Sequence, residues 1–352
     1  MAQHDQAASA IRPNSVRQWH EDLEHAVRLI RRVCQLSRSA NCIAETRASL
    51  RAEGITSAVR HHDSTALFDW LITMLGNRGI SNWVAADYLE RHGQATWHAI
   101  ESDLHRGPSC PKLKSYWHFQ DCRYSKKHYR CAEPEHLSQC PLPKHWLRNG
   151  GLNQTAFSLY LFIRDVADGD LVRWLDRRLQ AAEKPAGPDR LVALRMAVLS
   201  PLKEVYGVSD KVLMVALSTL FLGAPLRRTW AEVGASMIAV DTLVHNFLHR
   251  TGILHRLDAR HAYGPACYRP RGCAEIIEVV AQQIDAREFN PRYPQTFPRF
   301  VQRAIWEYCA QEGLDICNGN RVNDREHCSN TECHLHSICD RKILHNAMNN
   351  QI

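Results

Sequence analysis

The chain has 352 residues, 45% of them hydrophobic and 23% charged, with only 17 glycines and 15 prolines, a composition that excludes a disordered or fibrous protein and leaves room for one large or two modest cores. Lysine and arginine number 44 against 37 aspartates and glutamates, a formal charge of +7; that balance permits a polyanionic partner such as nucleic acid without requiring one. The longest apolar run, Val212 to Pro225, contains Ser218 and Thr219 and falls short of the roughly 20 apolar residues a bilayer crossing needs, so no membrane partner is expected.

In chain order, residues 1–13 are polar and lack the apolar core of a secretory signal, so they read as a disordered tail on a cytoplasmic, nucleoid-associated protein. Apolar residues then recur at helical spacing, first as Val16, Leu23, Val27, Ile30 and Val33, next as Leu67, Trp70, Leu71, Met74 and Leu75. Further helices are predicted over 82–91, 154–164, 169–182, 188–199, 209–222, 242–251, 274–285 and 297–311. No alternating strand pattern emerges, and the predicted fold class is all-α. The segments read as N-terminal helices over 14–63 that pack with the C-terminal lobe, a helical core over 64–223 and a second helical lobe over 224–352.

Three stretches break the helical pattern. An insertion at 106–150 and the segment 315–340 are rich in cysteine, histidine and basic residues and poor in aliphatics, so neither can bury a core by itself. The third, 256–272, carries Gly264, Pro265, Pro270 and Gly272 and reads as a surface loop. Thirteen cysteines without an export signal argue against a disulfide scaffold and toward metal.

Residues 202–211 run Leu-Lys-Glu-Val-Tyr-Gly-Val-Ser-Asp-Lys and lead into an apolar helix. The pattern predicts a helix, a tight turn at Gly207, Val208 and Ser209, and a second helix. The turn's backbone N–H groups and the positive end of that helix form a site for a DNA phosphate. Lys211 falls in the first turn, where its charge opposes the helix dipole. It is either a phosphate contact or an amine of depressed pKa suited to attack a sugar carbon.

Downstream, an apolar run ends abruptly at Asp241-Thr242 before another helix. Asp241 is a natural helix N-cap. A carboxylate held against an apolar wall could equally stabilise an oxocarbenium-like sugar and activate water.

Gly-Val-x-x-Lys with its apolar helix, followed by Ile-Ala-Val-Asp-Thr, resembles the helix-hairpin-helix glycosylase superfamily typified by endonuclease III. The resemblance covers most of 65–104 and 152–339, and is sharp only in these two segments. It implies a two-lobed helical fold with double-stranded DNA between the lobes, Lys211 at the lysine position and Asp241 at the aspartate position. The stretch 67–81 resembles the helix and turn whose side chain fills the gap left by a flipped base, which makes Asn77 or Arg78 the matching residue. Ser209 replaces a second hairpin glycine, and 224–235 looks inserted, a loop expected to bulge outward.

Near the end stand Cys317, Cys328, Cys333 and Cys339, separated by ten, four and five residues. Four thiolates in a nearly core-less segment want a metal. The resemblance implies a structural [4Fe-4S] cluster, with zinc as the alternative; Cys309 reads as a buried helix residue. The insertion carries Cys110, Cys122, Cys131 and Cys140, interleaved with basic and aromatic residues that include Lys126 and Lys127. These cysteines suggest a second metal site, expected to be zinc, with His118, His128 or His136 able to replace a cysteine. The surrounding Arg, Lys and Tyr side chains would grip phosphates or stack on a base.

Together these readings predict a monomeric DNA glycosylase that excises a damaged or modified base, with lyase activity if Lys211 forms a Schiff base, acting in repair or against phage with modified DNA. The alternative is a non-catalytic hairpin DNA-binding protein with structural metal sites.

Overall fold

Every residue from Asn153 to Ile163 is buried, and a helix buried on all sides has to be wrapped by others. A computed structural model of the chain describes residues 13–37, 41–76, 82–125, 127–144, 150–184, 187–224 and 226–344. The chain divides into a central unit, Cys42–Ala239, and a terminal unit that joins the first helix to everything from Val240 onward. Among the described residues the protein is all-helical, with one isolated bridge, Ser125 to Arg130, in place of any strand.

In the central unit, α2 (Cys42–Ala52), α3 (Ile55–His61) and α4 (Ser64–Gly76) precede α5 (Asn82–His92), α6 (Trp97–His105) and the short α7 (Tyr116–Phe119). The buried helix is α8 (Gly150–Asp165), packed against α4, α6 and α7. Phe68, Trp97 and Tyr160 stack where α4, α6 and α8 meet. Phe162 takes Tyr116 on one side and Trp174 of α9 (Leu171–Ala182) on the other. Then α10 (Pro188–Lys203), α11 (Asp210–Gly223) and α12 (Arg228–Ser236) close the unit.

The stretch expected to bulge as an inserted loop, 224–235, instead supplies α12, which packs closely on α11. Trp230 is fully buried, and its indole N–H donates to Asp176 at 2.8 Å. Gly234 permits the approach, since a Cβ there would come 2.8 Å from Phe221 Cβ and 3.2 Å from the backbone nitrogen of Leu222.

In the terminal unit, α1 (Pro13–Leu36) buries Leu23, Ala26, Leu29, Ile30 and Val33, a stripe at helical spacing. It packs on α14 (Ile253–Arg256), α15 (Cys273–Gln282) and α16 (Pro298–Cys309), while α13 (Thr242–Arg250) packs on α16. Arg256 ties the layers together, donating to Asp340 at 2.6 and 2.9 Å and to Asp22 at 3.4 Å. The expected grouping of 14–63 with the C-terminal lobe is therefore corrected. Only α1 lies there, whereas α2 and α3 pack on α4 and α11, where Leu50, Ile55, Ala58 and Val59 find their apolar partners. Of the expected tail, residues 1–12 lie outside the described residues and Pro13 opens α1.

Asp170 caps α9, accepting the N–H of Arg173 at 2.8 Å and meeting His62 Nδ1 at 2.9 Å. Burial pushes its carboxyl up, but the Arg173 N–H and His62 outweigh it and hold the group below the usual carboxylate range. Replacing Asp170 with Ala should cost about 1 kcal/mol, read as a shift in denaturant midpoint. Asp170→Asn keeps the cap and removes only the charge. A depressed carboxylate stabilises the fold above its unfolded pKa and loses that contribution as pH falls through the folded one. The gap between wild type and Asp170→Asn should therefore be open at neutral pH and close in strong acid; a gap independent of pH would contradict this assignment.

Candidate metal centre and active-site carboxylate

The segment 236–240 runs buried and apolar into Asp241, which is half-buried and caps α13 by accepting the Val244 N–H at 2.9 Å. One turn later α13 presents His245, buried to 5% exposure. The stretch 256–272, expected as a surface loop, folds back on this histidine and buries Cys267 completely. With Cys273 at the start of α15, the ligand atoms of His245, His261, Cys267 and Cys273 all lie within 4.8 Å of one another. His245 Nδ1 is 3.3 Å from Cys273 Sγ and 3.6 Å from Cys267 Sγ, and His261 Nε2 is 3.3 Å from Cys273 Sγ. Two imidazoles and two thiols so arranged can hold a metal ion.

The glycines that suggested an exposed turn are what permit this fold. At Gly272 a Cβ would sit 2.5 Å from the carbonyl oxygen of Ala266 and 2.7 Å from that of Cys267. Gly264, with φ of 143°, opens the short 3-10 turn Pro265–Tyr268 that aims Cys267 inward.

Cys267 and Cys273 share a proton: the hydrogen bond from Cys273 lowers the Cys267 thiol against burial, with His245 acting in the same direction, while Cys273 is raised. A bound cation would take the place of that proton.

The same loop grips the backbone just before the carboxylate. Tyr268, next to Cys267, accepts the Val240 N–H at 2.9 Å and donates back to the Val240 carbonyl at 3.4 Å. Tyr263 tilts over His245 at 5.7 Å, and its phenol is raised by burial and then by the charge of Asp241. The Asp241 carboxylate is thus fixed through α13 on one side and the Cys/His loop on the other.

The C-terminal cysteines converge on the far end of α13. Arg250, almost fully buried, donates to Cys317 Sγ at 3.3 Å and pairs with Asp324. Cys339 Sγ lies 3.8 Å from the Arg250 carbonyl and accepts the Arg341 N–H at 3.4 Å; Cys333 Sγ lies 3.1 Å from the Tyr308 hydroxyl. Burial pushes the Cys339 thiol up to about 12, and the charges of Cys317, Cys333 and Cys328 act the same way, which places the four in one another's field. Cys309 is fully buried at the end of α16, as expected, and hydrogen-bonds Cys317. Among the described residues no group besides the His245 set brings three ligand atoms together as tightly. A cubane of four irons holds its thiolates farther apart than one ion does, and donors to sulfur such as Arg250 and Arg341 are what such a cluster uses. The four residues fit the group.

The hairpin forms as its sequence predicts, from α10 through the turn into α11. Gly207 takes φ of 71°, which its lack of a Cβ allows. Thr155 and Ser158 of α8 hold the turn through the Tyr206 carbonyl at 2.7 Å and the Tyr206 N–H at 3.0 Å. Ser209 occupies the N-cap position without a side-chain cap bond, and Val208 packs against the core. Lys203 and Asp210 pair across the turn, and Lys211 follows in the first turn of α11. Lys211 belongs to the central unit and Asp241 to the terminal one. In the insertion, Cys110, Cys122, Cys131 and Cys140 line one pocket, and Lys127 is exposed. Asn77, Arg78 and Lys126 lie outside the described residues.

Compared with known protein families, curated proteins and solved structures, the chain gives no match. Its function has to be read from the geometry.

Sequence reasoning passed over His245, His261, Cys267 and Cys273. Their gaps of fifteen, five and five residues match no tight ligand pair, and glycine and proline drew the eye to a turn. The available signal was His261 and Cys267 inside the break, with Cys273 directly after it. Cys267→Ser should lower metal affinity at least ~100-fold, since even residues behind the ligands cost 10- to 100-fold. Elemental analysis of the purified chain checks this, and metal content equal to wild type would remove the site.

Proposed function

We propose that the protein is a DNA glycosylase of the helix-hairpin-helix type, with Asp241 as its catalytic carboxylate, zinc at the His245, His261, Cys267 and Cys273 site, and a [4Fe-4S] cluster on Cys317, Cys328, Cys333 and Cys339. The observation that carries the reading is Asp241 itself, a half-buried carboxylate at the head of α13 whose preceding residue is clamped by Tyr268. Electrostatic catalysis needs a charge that does not have to reorganise as the transition state forms. A carboxylate offers about four acceptor sites, so capping α13 and facing a sugar cation are compatible.

The hairpin supports the DNA half of the proposal. The N-terminus of α11 lacks a side-chain cap and its turn is pinned to α8, which suits a phosphate. Two imidazoles and two thiolates with a tetrahedral preference suit zinc, and a closed set of four protein ligands makes it structural. The cluster, when bound, supplies rigidity to a loop short of aliphatic residues.

In this mechanism the target nucleotide leaves the stack, because its glycosidic bond is inaccessible within it. As the C1′–N bond breaks, the electron pair leaves with the base and Asp241 stabilises the sugar cation. Water deprotonated toward Asp241 adds to C1′, the departing base takes up a proton, and an abasic site remains. The substrate class is a damaged or modified base, in repair or in defence against modified phage DNA.

The capping bond to Val244 also favours a second reading, in which Asp241 is purely structural and the protein binds DNA without cleaving it. One variant separates the two. Asn caps helices as well as Asp, so Asp241→Asn should fold and bind DNA like wild type while base release falls at least ~100-fold. The assay is single-turnover release from duplexes carrying deaminated, oxidised or phage-type bases. DNA binding without base release by wild type would favour the second reading, unchanged release by Asp241→Asn would remove Asp241 as the catalytic carboxylate, and absence of DNA binding at low salt would end both.

A further inference from the structure

One pocket in the insertion has walls that carry all four of Cys110, Cys122, Cys131 and Cys140. Each cysteine comes from a different local element. Cys110 precedes the 3-10 turn Pro111–Leu113, Cys122 follows α7, Cys131 follows the Ser125 to Arg130 bridge, and Cys140 ends the 3-10 turn Pro134–Gln139. Both flanks of the pocket rest on the buried α8. Gln154 donates to the Cys122 carbonyl at 3.4 Å, and Asn153 donates to the Leu142 carbonyl at 2.6 Å. The walls are therefore tied to the buried α8, not to the loop alone.

Within the set, Gln154 donates to Cys122 Sγ at 3.9 Å, and in the terminal unit the Arg341 N–H donates to Cys339 Sγ at 3.4 Å. Two of the three histidines that could have replaced a cysteine hydrogen-bond elsewhere. His118 Nδ1 meets Ser115 Oγ at 2.7 Å, and His136 Nδ1 meets Ser109 Oγ at 2.9 Å.

Size separates the candidate occupants. Four thiolates around one zinc, with Zn–S of about 2.3 Å, lie roughly 3.8 Å apart. At His245 four ligand atoms lie within 4.8 Å of one another, and no three of the insertion cysteines come together as tightly. All four nonetheless line one pocket. Four sulfurs facing one chamber, farther apart than one ion allows, are what a cubane needs.

We infer that Cys110, Cys122, Cys131 and Cys140 hold a second [4Fe-4S] cluster, in place of the zinc ion that their number alone suggests. The inference stands on the pocket and does not depend on the glycosylase reading. Its consequence is that the exposed Trp117 and Tyr129 and the basic residues around them are displayed by an oxygen-sensitive scaffold.

The test is iron, acid-labile sulfide and zinc per full-length chain after anaerobic purification. The expected wild-type result is twice one cluster's complement of iron and sulfide, with one zinc. Cys131→Ser, at a half-buried position, should halve iron and sulfide and leave zinc unchanged. If that variant does not fold, the wild-type stoichiometry still decides. One cluster's complement with two zinc ions overturns the proposal, as does iron unaffected by Cys131→Ser. Cys328→Ser reports separately on the C-terminal set: should it leave iron intact while Cys131→Ser removes all of it, the C-terminal cluster fails and this one stands.

Discussion

The terminal unit depends on one constraint, the convergence of His245, His261, Cys267 and Cys273 around a space sized for a single ion. The four side chains already hydrogen-bond one another, and a cation bound there would join α13, the 256–272 loop and α15. Asp241 lies beside this knot, since α13 begins at the aspartate and Tyr268, the covalent neighbour of Cys267, holds the residue before it.

The same economy operates in the central unit by packing alone. The buried α8 carries Thr155 and Ser158 on one stretch and Asn153 and Gln154 next to it, so one helix sets both the hairpin turn and the walls of the cysteine pocket. Every one of those polar groups is buried among apolar neighbours, and each uses a hydrogen bond to the segment it positions. Such bonds are modest in net stability, but expensive to leave unmade. That asymmetry is why the hairpin and the insertion each have a single geometry.

Helices were legible wherever apolar spacing was regular. The elements over 82–92, 188–203 and 298–309 follow the periodicity within a few residues, and Gly207 marked its turn because only a positive φ explains it. Asp241 as an N-cap was legible too, from an apolar run ending in Asp-Thr. Gly264 and Gly272 signalled a surface loop, and 256–272 is largely exposed; what residue type did not reveal is that Cys267 within it is buried and that Gly272 lets the Ala266 and Cys267 carbonyls come close. Stretch 224–235 looked like extra chain because family spacing has no counterpart for it, yet Trp230 and Gly234 had already encoded a helix pressed against α11. Long-range ligand sets are invisible to local pattern reading, since fifteen residues separate His245 from its nearest partner in sequence and only the fold closes that gap.

Cysteine number alone does not name a metal; the separation of the sulfurs does. This chain contains both scales, a tight mixed Cys/His knot and two wider four-thiol sets. X-ray absorption at the zinc edge of the purified chain tests directly which residues hold the proposed zinc. Zinc at His245, His261, Cys267 and Cys273 gives mixed coordination, two sulfurs at about 2.3 Å and two imidazole nitrogens at about 2.0 Å. A shell of four sulfurs would put the ion among the cysteine sets and contradict zinc at the knot beside Asp241.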